Sequence, residues 1–222
     1  MIAQTSFKVD DLILQQLKSA SVDIEFKLPV NVPTGDFFYD PWIIKDEFKE
    51  TVWDKLLGYL PDNIGEARLI KLEPGQAYRS HADIDDRYHF NIQGEKSFVL
   101  YTELNTIYPQ TYSHYWQDMD AGPVHSAVNT GRIDRIQLVV RKLLKQNKLI
   151  NPVTVKIILV SDATDWRYQF DSVTSTWLNR ANKNGTITNF KWDDKCVMFD
   201  IEKELISDLK KNLTEIFEVI IC

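Results

Sequence analysis

"RYHFNIQ", residues 87–93, alternates polar and apolar side chains without a break. Arg87, His89 and Asn91 fall on one face of a strand, and Tyr88, Phe90 and Ile92 on the other. A filled hydrophobic core does not tolerate such a polar face, because each buried polar group lacking a partner costs free energy. If the apolar face packs on neighbouring helices, the polar face looks into a small barrel, and a polar lumen there means a ligand cavity. The flanking sequence has the same texture. From Ala67 to about Lys145, short alternations are broken by the turn signals "EPGQ", "QGEK", "YPQT", "DAGP" and "NTGR", with no helical period between them. Many short strands at close spacing predict a sandwich or small barrel.

Two helices are expected before this region. Residues 9–20 put Leu12, Ile13, Leu14 and Leu17 on one stripe, and in 45–60 Phe48, Val52, Trp53, Leu56, Leu57 and Leu60 recur at helical spacing. After it, "KQNKLINP" (145–152) reads as a linker. Beyond the linker the pattern predicts a strand at 153–160, a helix at about 171–182, a strand at 186–192, a turn at Asp193-Asp194, a strand at 195–200, a helix at 201–213 and a strand at 216–222. Asp200 is placed to cap the second helix, in which Leu205, Leu209 and Leu213 stand four apart. The order βαββαβ is that of the ferredoxin-like unit. The expected class is therefore α+β, with a β-rich domain over residues 1–148 and a small α/β accessory domain over 149–222.

Composition narrows the function. The net charge of −6 and a pI near 5.3 argue against a nucleic-acid partner, whose footprint is basic. No apolar run approaches the roughly 20 residues that span a bilayer, so no membrane partner is expected. The first residues lack the basic-then-apolar layout of a signal peptide. Cys196 and Cys222 do not make a thiolate metal site by themselves. A cytoplasmic, reducing setting is the simplest reading, with a small molecule or peptide as substrate.

All four histidines, His81, His89, His114 and His125, lie within one fifth of the chain. In a strand His81 and Asp83, two apart, present an imidazole and a carboxylate side by side. Asn129-Thr130-Gly131 reads as a three-residue hairpin loop, and pairing about it sets His125 opposite Arg135, roughly 5 Å apart at Cβ. Arg135 and Gln137 then share the histidine's face, while Ile136, Leu138 and Val140 look away. Two histidines and a carboxylate on one side of an ion, with other positions open, mark non-haem Fe(II) oxygenases. A nearby guanidinium supplies the planar fork that a chelating acid needs. Asp85 and Asp86 read as a solvated turn and Asp120 as a turn residue. His114 reads as a strand or loop residue, and Tyr108, Tyr112, Tyr115 and Trp116 as a packing cluster.

The segments "GEARLIKLEPGQAYRSHADIDDRYHFNIQG" (65–94) and "HSAVNTGRIDRIQLVV" (125–140) resemble the 2-oxoglutarate/Fe(II) dioxygenases. Within them the nearest likeness is to the aspartyl/asparaginyl β-hydroxylase family and the related bacterial proline hydroxylases. The resemblance covers roughly residues 35–145. It implies a double-stranded β-helix, a cupin-like jelly roll, with His81, Asp83 and His125 as iron ligands. It makes Arg135 the partner of the far carboxylate of 2-oxoglutarate, helped by His89 and by Arg87 or Asn91. The implied reaction is hydroxylation of an amino acid or peptide side chain by O2, with 2-oxoglutarate decarboxylated to succinate. Animal aspartyl/asparaginyl hydroxylases lack the metal-binding carboxylate, and Asp83 stands in that place here, which moves the chain toward the bacterial amino-acid hydroxylases. Two other readings fit a metal-bearing barrel: a non-enzymatic cupin-like binding module, and a metal-assisted hydrolase or isomerase. Arg135 discriminates, since neither needs a cation facing the metal histidines.

Overall fold

The computed structural model describes residues 1–20, 24–111, 113–160, 174–193, 196–213 and 217–222. The chain opens with strand β1 (Ile2–Lys8) and helix α1 (Asp11–Ser19), whose Ile13, Leu14 and Leu17 are buried. Short strands β2 (Lys27–Pro29), β3 (Asn31–Pro33) and β4 (Trp42–Ile44) follow. A 3-10 turn (Asp46–Phe48) then precedes α2 (Val52–Leu57), which starts where the Thr51 side chain accepts the Trp53 N–H. The central strands are β5 (Ile64–Leu72), β6 (Arg87–Gln93), β7 (Ser97–Tyr101), β8 (Thr106–Pro109), β9 (Tyr115–Met119), β10 (His125–Asn129) and β11 (Arg135–Lys142).

These strands form a six-stranded sheet, β1-β9-β6-β11-β5-β2, and a three-stranded sheet, β10-β7-β8, both antiparallel. The outer face of the large sheet carries Ala67, Leu69, Phe90, Trp116, Leu138 and Val140, packed against Leu14, Leu17, Trp53 and Leu56 of the two helices. Each fully buried side chain of this kind contributes about 1.5–3 kcal/mol. The inner face, looking at the small sheet, carries Arg68, His89, Arg135 and Gln137 around a cavity. The result is a β-rich, jelly-roll-like sandwich with few helices, apolar outside one sheet and mixed polar and apolar between the two.

The expected hairpin at Asn129–Gly131 is not formed. β10 pairs with β7, placing His125 opposite Tyr101, whereas β11 pairs with β5 and β6, placing Arg135 opposite Leu72. The segment between them is an arch from one sheet to the other. Asn129 holds it by donating its side-chain amide to the Leu72 carbonyl at 2.8 Å and the Ile133 carbonyl at 2.9 Å. Thr130 adds a backbone bond to the Lys96 carbonyl at 2.9 Å, and the Arg132 N–H meets the Glu95 carboxylate at 2.7 Å. Except for Ile133, those partners lie 34 to 57 residues away, so no local rule reveals them.

The remaining chain forms β12 (Pro152–Leu159), α3 (Thr176–Lys183), β13 (Ile187–Asp193), β14 (Cys196–Glu202), a 3-10 turn (Lys203–Leu205), α4 (Ile206–Asn212) and β15 (Phe217–Ile221). Its antiparallel sheet runs β13-β14-β12-β15. The first part of the helix expected at 171–182, one residue of the turn at Asp193-Asp194 and the segment 214–216 lie outside the described residues, as does Tyr112. Asp200 is no helix cap. It lies within β14 and accepts from Thr154 Oγ1 at 2.7 Å and Asn189 Nδ2 at 2.6 Å. The segment 145–152 is bound along its length: Asn147 donates to the Ile187 carbonyl at 2.8 Å, and Glu202 accepts the Ile150 and Asn151 N–H groups. Ile84, Leu144, Phe38 and Tyr39 from the sandwich share the core of this C-terminal sheet.

Candidate metal centre

His81 and His125 are brought together by backbone pairing. Each donates its N–H to the other's carbonyl, at 2.9 and 2.8 Å, and the rings lie 4.5 Å apart between centroids. Two residues on, the Asp83 N–H bonds the Ala121 carbonyl at 2.9 Å. One ligand atom from each of His81, Asp83 and His125 then falls within 4.8 Å of the others, an arrangement that can hold a metal ion.

The tautomers suit that purpose. His81 Nδ1 lies 2.8 Å from the Arg79 carbonyl and His125 Nδ1 3.0 Å from the Pro123 carbonyl. A carbonyl only accepts, so both Nδ1 atoms carry the proton and both Nε2 atoms offer a lone pair. Each Nε2 is 3.8 Å from Asp83 Oδ2. Burial lowers the His125 imidazole to about 4, outweighing the pull of Asp83, so it is neutral at neutral pH. Burial opposes the Asp83 charge, but Arg87 and the two histidines prevail and hold its carboxyl well below the usual range.

Arg87 is committed to carboxylates. Its guanidinium reaches Asp83 Oδ1 at 3.0 Å and also binds Asp85, which is in turn gripped by Arg141 at 2.5 and 3.0 Å. Asp85 is therefore a buried link in an ion-pair chain, Arg141–Asp85–Arg87–Asp83, rather than a residue of a solvated turn. Asp86 is not solvated either: it pairs with Lys183 at 2.9 Å and accepts the Ala121 N–H. Asp120 pairs with the same lysine at 2.7 Å.

The three clustered residues line a cavity of about 180 Å³ between the sheets, together with Arg87, His89 and Arg135. Arg135 is 3% exposed, and among the described residues its side chain donates from Nη2 to Gln137 Oε1 while Nε and Nη1 meet no partner. Burial brings its guanidinium down to about 10, still cationic at neutral pH. His89 Nδ1 and the Tyr78 hydroxyl are likewise buried without partners among the described residues. Burial first, then Arg135 and Arg87, push His89 well below its ordinary value, so it is neutral. Asn91 stands behind the cavity wall, bonded to the Thr111 carbonyl at 2.9 Å and to Gln137. His114 lies away from the cluster, 3.7 Å from Asp11. Trp116 is fully buried under the helices.

Tyr78 and Arg68 also line the cavity, and sequence reading missed both. Arg68 was findable: in "ARLIKL" it alternates with Ala67 and Leu69, the period that exposed His89. Tyr78 carries no comparable local signal.

No family model matches the chain, and no curated protein does. Among solved structures it is similar to a viral collagen prolyl hydroxylase from Paramecium Bursaria Chlorella virus-1 in its 2OG complex, with 10% identity, a TM-score of 0.40, and coverage of 64% of this chain and 96% of that one. It is similar to the same degree to AviO1 from Streptomyces viridochromogenes Tue57, at 10% identity and a TM-score of 0.40, covering 63% of this chain and 88% of that one. At such identity the site stands on its own geometry.

Proposed function

We propose that the protein is an Fe(II)- and 2-oxoglutarate-dependent dioxygenase that hydroxylates an amino acid or peptide side chain. One observation carries this reading: a buried guanidinium, two of whose nitrogens have no partner among the described residues, shares a cavity with a His–Asp–His cluster. A buried cation lacking a partner is costly, and a dianionic co-substrate whose far carboxylate meets Arg135 would remove that cost. The Tyr78 hydroxyl and His89 Nδ1, unpartnered among the described residues, add hydrogen-bonding capacity in the same cavity. A metal-binding module or hydrolase gives Arg135 no task.

His81 Nε2, His125 Nε2 and Asp83 Oδ2 would hold the iron. Arg87 occupies Asp83 Oδ1 and so presents Oδ2 alone. Fe(II) with bound 2-oxoglutarate supplies the activation of O2 for C–H hydroxylation, with CO2 and succinate as co-products. Arg135 orients the acid through its unused Nε and Nη1, and Gln137, fixed by Asn91, sets the guanidinium plane. Val99, Met119 and Val139 give the cavity apolar walls that limit water. The sandwich, residues 1–148, is read as a double-stranded β-helix and residues 149–222 as a ferredoxin-like accessory unit, supported by the sheet order. Mn(II), an inert stand-in, should bind one per chain and raise the melting temperature. His125→Ala should abolish that rise, and Fe(II), O2 and 2-oxoglutarate should yield succinate. Unaltered metal affinity in both His81→Ala and His125→Ala would remove the metal assignment.

A further inference from the structure

His81 and Asp83 line two cavities, not one. On the side away from Arg135 opens a second cavity of about 520 Å³, walled by Phe37, Phe38, Ala82, Ile84, Ser175 and Trp192. The last two come from the C-terminal unit, so this chamber exists only where that unit meets the sandwich. The join is closely fitted. Asn179 Nδ2 donates to the Asp83 carbonyl at 3.2 Å and to Asp86 at 3.3 Å, and Lys183 bridges Asp86 and Asp120. A Cβ at Gly122 would come within 2.5 Å of Asn179 Oδ1, so even one added methyl would disturb the seam.

We infer that this second chamber receives the primary substrate, and that the substrate presents an uncharged, apolar side chain to the metal. The inference rests on the dioxygenase reading above and names the substrate class of the same site. The two chambers differ in charge. The inner one keeps a guanidinium with two nitrogens unpartnered among the described residues, as an acid requires. In the outer one the guanidinium of Arg141 is neutralised by the bidentate Asp85 and sits against Phe37 and Phe38, at 4.5 and 5.0 Å from the ring centroids. Aromatic faces and a neutralised ion pair favour carbon surface and disfavour a net charge, which would be desolvated without a counter-ion. The volume suits a whole side chain and its flanking backbone. A role of the C-terminal unit follows: Trp192 and Ser175 make it a wall of the substrate chamber.

The test uses the full chain loaded anaerobically with Mn(II) and 2-oxoglutarate. N-acetyl amides of leucine, proline and phenylalanine are titrated in by calorimetry, with the aspartate and lysine amides as charged controls. Binding of at least one apolar probe in the millimolar range or tighter, weakened at least about tenfold in Trp192→Ala, is expected. Phe37→Ala should act the same way; Phe37 is 39% exposed, so its truncation does not endanger the fold. In both variants 2-oxoglutarate binding should match wild type. Preference for a charged probe, no binding of any probe, or apolar binding unaffected by both substitutions overturns the inference while leaving the dioxygenase reading intact. A wild-type protein that binds neither Mn(II) nor 2-oxoglutarate overturns both.

Discussion

The two faces of the six-stranded sheet are both shielded from water, yet they are opposites in chemistry. The outer face buries Leu69, Phe90, Leu138 and Val140 beneath helices; the inner face buries Arg87, His89, Arg135 and Gln137. A single period-two alternation along β5, β6 and β11 produces both. The difference teaches that burial alone does not define a core. The apolar face supplies the stability that lets the opposite face carry groups such as Arg135 and His89 that the fold itself does not need.

The comparison breaks if the outer face is energetically expendable. Phe90→Ala should cost about 3–5 kcal/mol in chemical denaturation, because Phe90 is fully buried among the helices. A cost below about 1 kcal/mol would contradict the assignment. On the inner face, Arg87→Met should cost about 3 kcal/mol by the same method, since it strands Asp83 and Asp85 together without their shared cation. Arg87 would be merely peripheral if that variant were as stable as wild type.

A third effect is smaller and depends on pH. His89 is held well below its ordinary value, so the folded protein refuses a proton that the unfolded chain accepts. Stability of the metal-free protein is therefore complete above about pH 6.5 and declines as pH falls below it, by up to about 1.4 kcal/mol per pH unit for this one group. His89→Asn should flatten that decline in denaturation curves taken between pH 7 and 5. An equally steep decline in the variant would assign the effect elsewhere.

What could be read from the sequence followed the alternation. The faces of "RYHFNIQ" and the spacing of His81 and Asp83 follow from a two-residue period, which is local; His125 joins them through backbone pairing with a residue 44 positions away, which is not. The arch at Asn129–Gly131 was misread because a turn sequence states that the chain turns, not which sheet it joins. The bonds that decide this run from Asn129 to Leu72 and from Thr130 to Lys96. Asp85 and Asp86 were misread for a related reason: carboxylates between short strands are solvated unless a distant cation arrives, and here Arg141 and Lys183 do. The opening strand Ile2–Lys8 went unnoticed since it lies at the sheet edge, largely exposed, and its pairing with Tyr115–Met119 spans the sandwich. Trp192 and Ser175 come to line the cavity beside His81 and Asp83 only through the docking of the C-terminal unit, which no spacing records.

The sharpest contrast between the faces is the smallest in stability. Arg135→Met should leave the metal-free fold as stable as wild type or more so, because the buried guanidinium has unpartnered nitrogens to lose. A loss above about 1 kcal/mol in denaturation would mean that Arg135 serves the fold. Its service to the ligand is the central claim, and one measurement addresses it: anaerobic titration of 2-oxoglutarate into the Fe(II) protein, followed by the metal-to-ligand charge-transfer band. Arg135→Ala should weaken binding at least about tenfold, or 1.4 kcal/mol, with metal affinity unchanged. Arg135→Lys should recover only part, keeping the charge without the planar fork. A titration in Arg135→Ala superimposable on wild type would contradict the account.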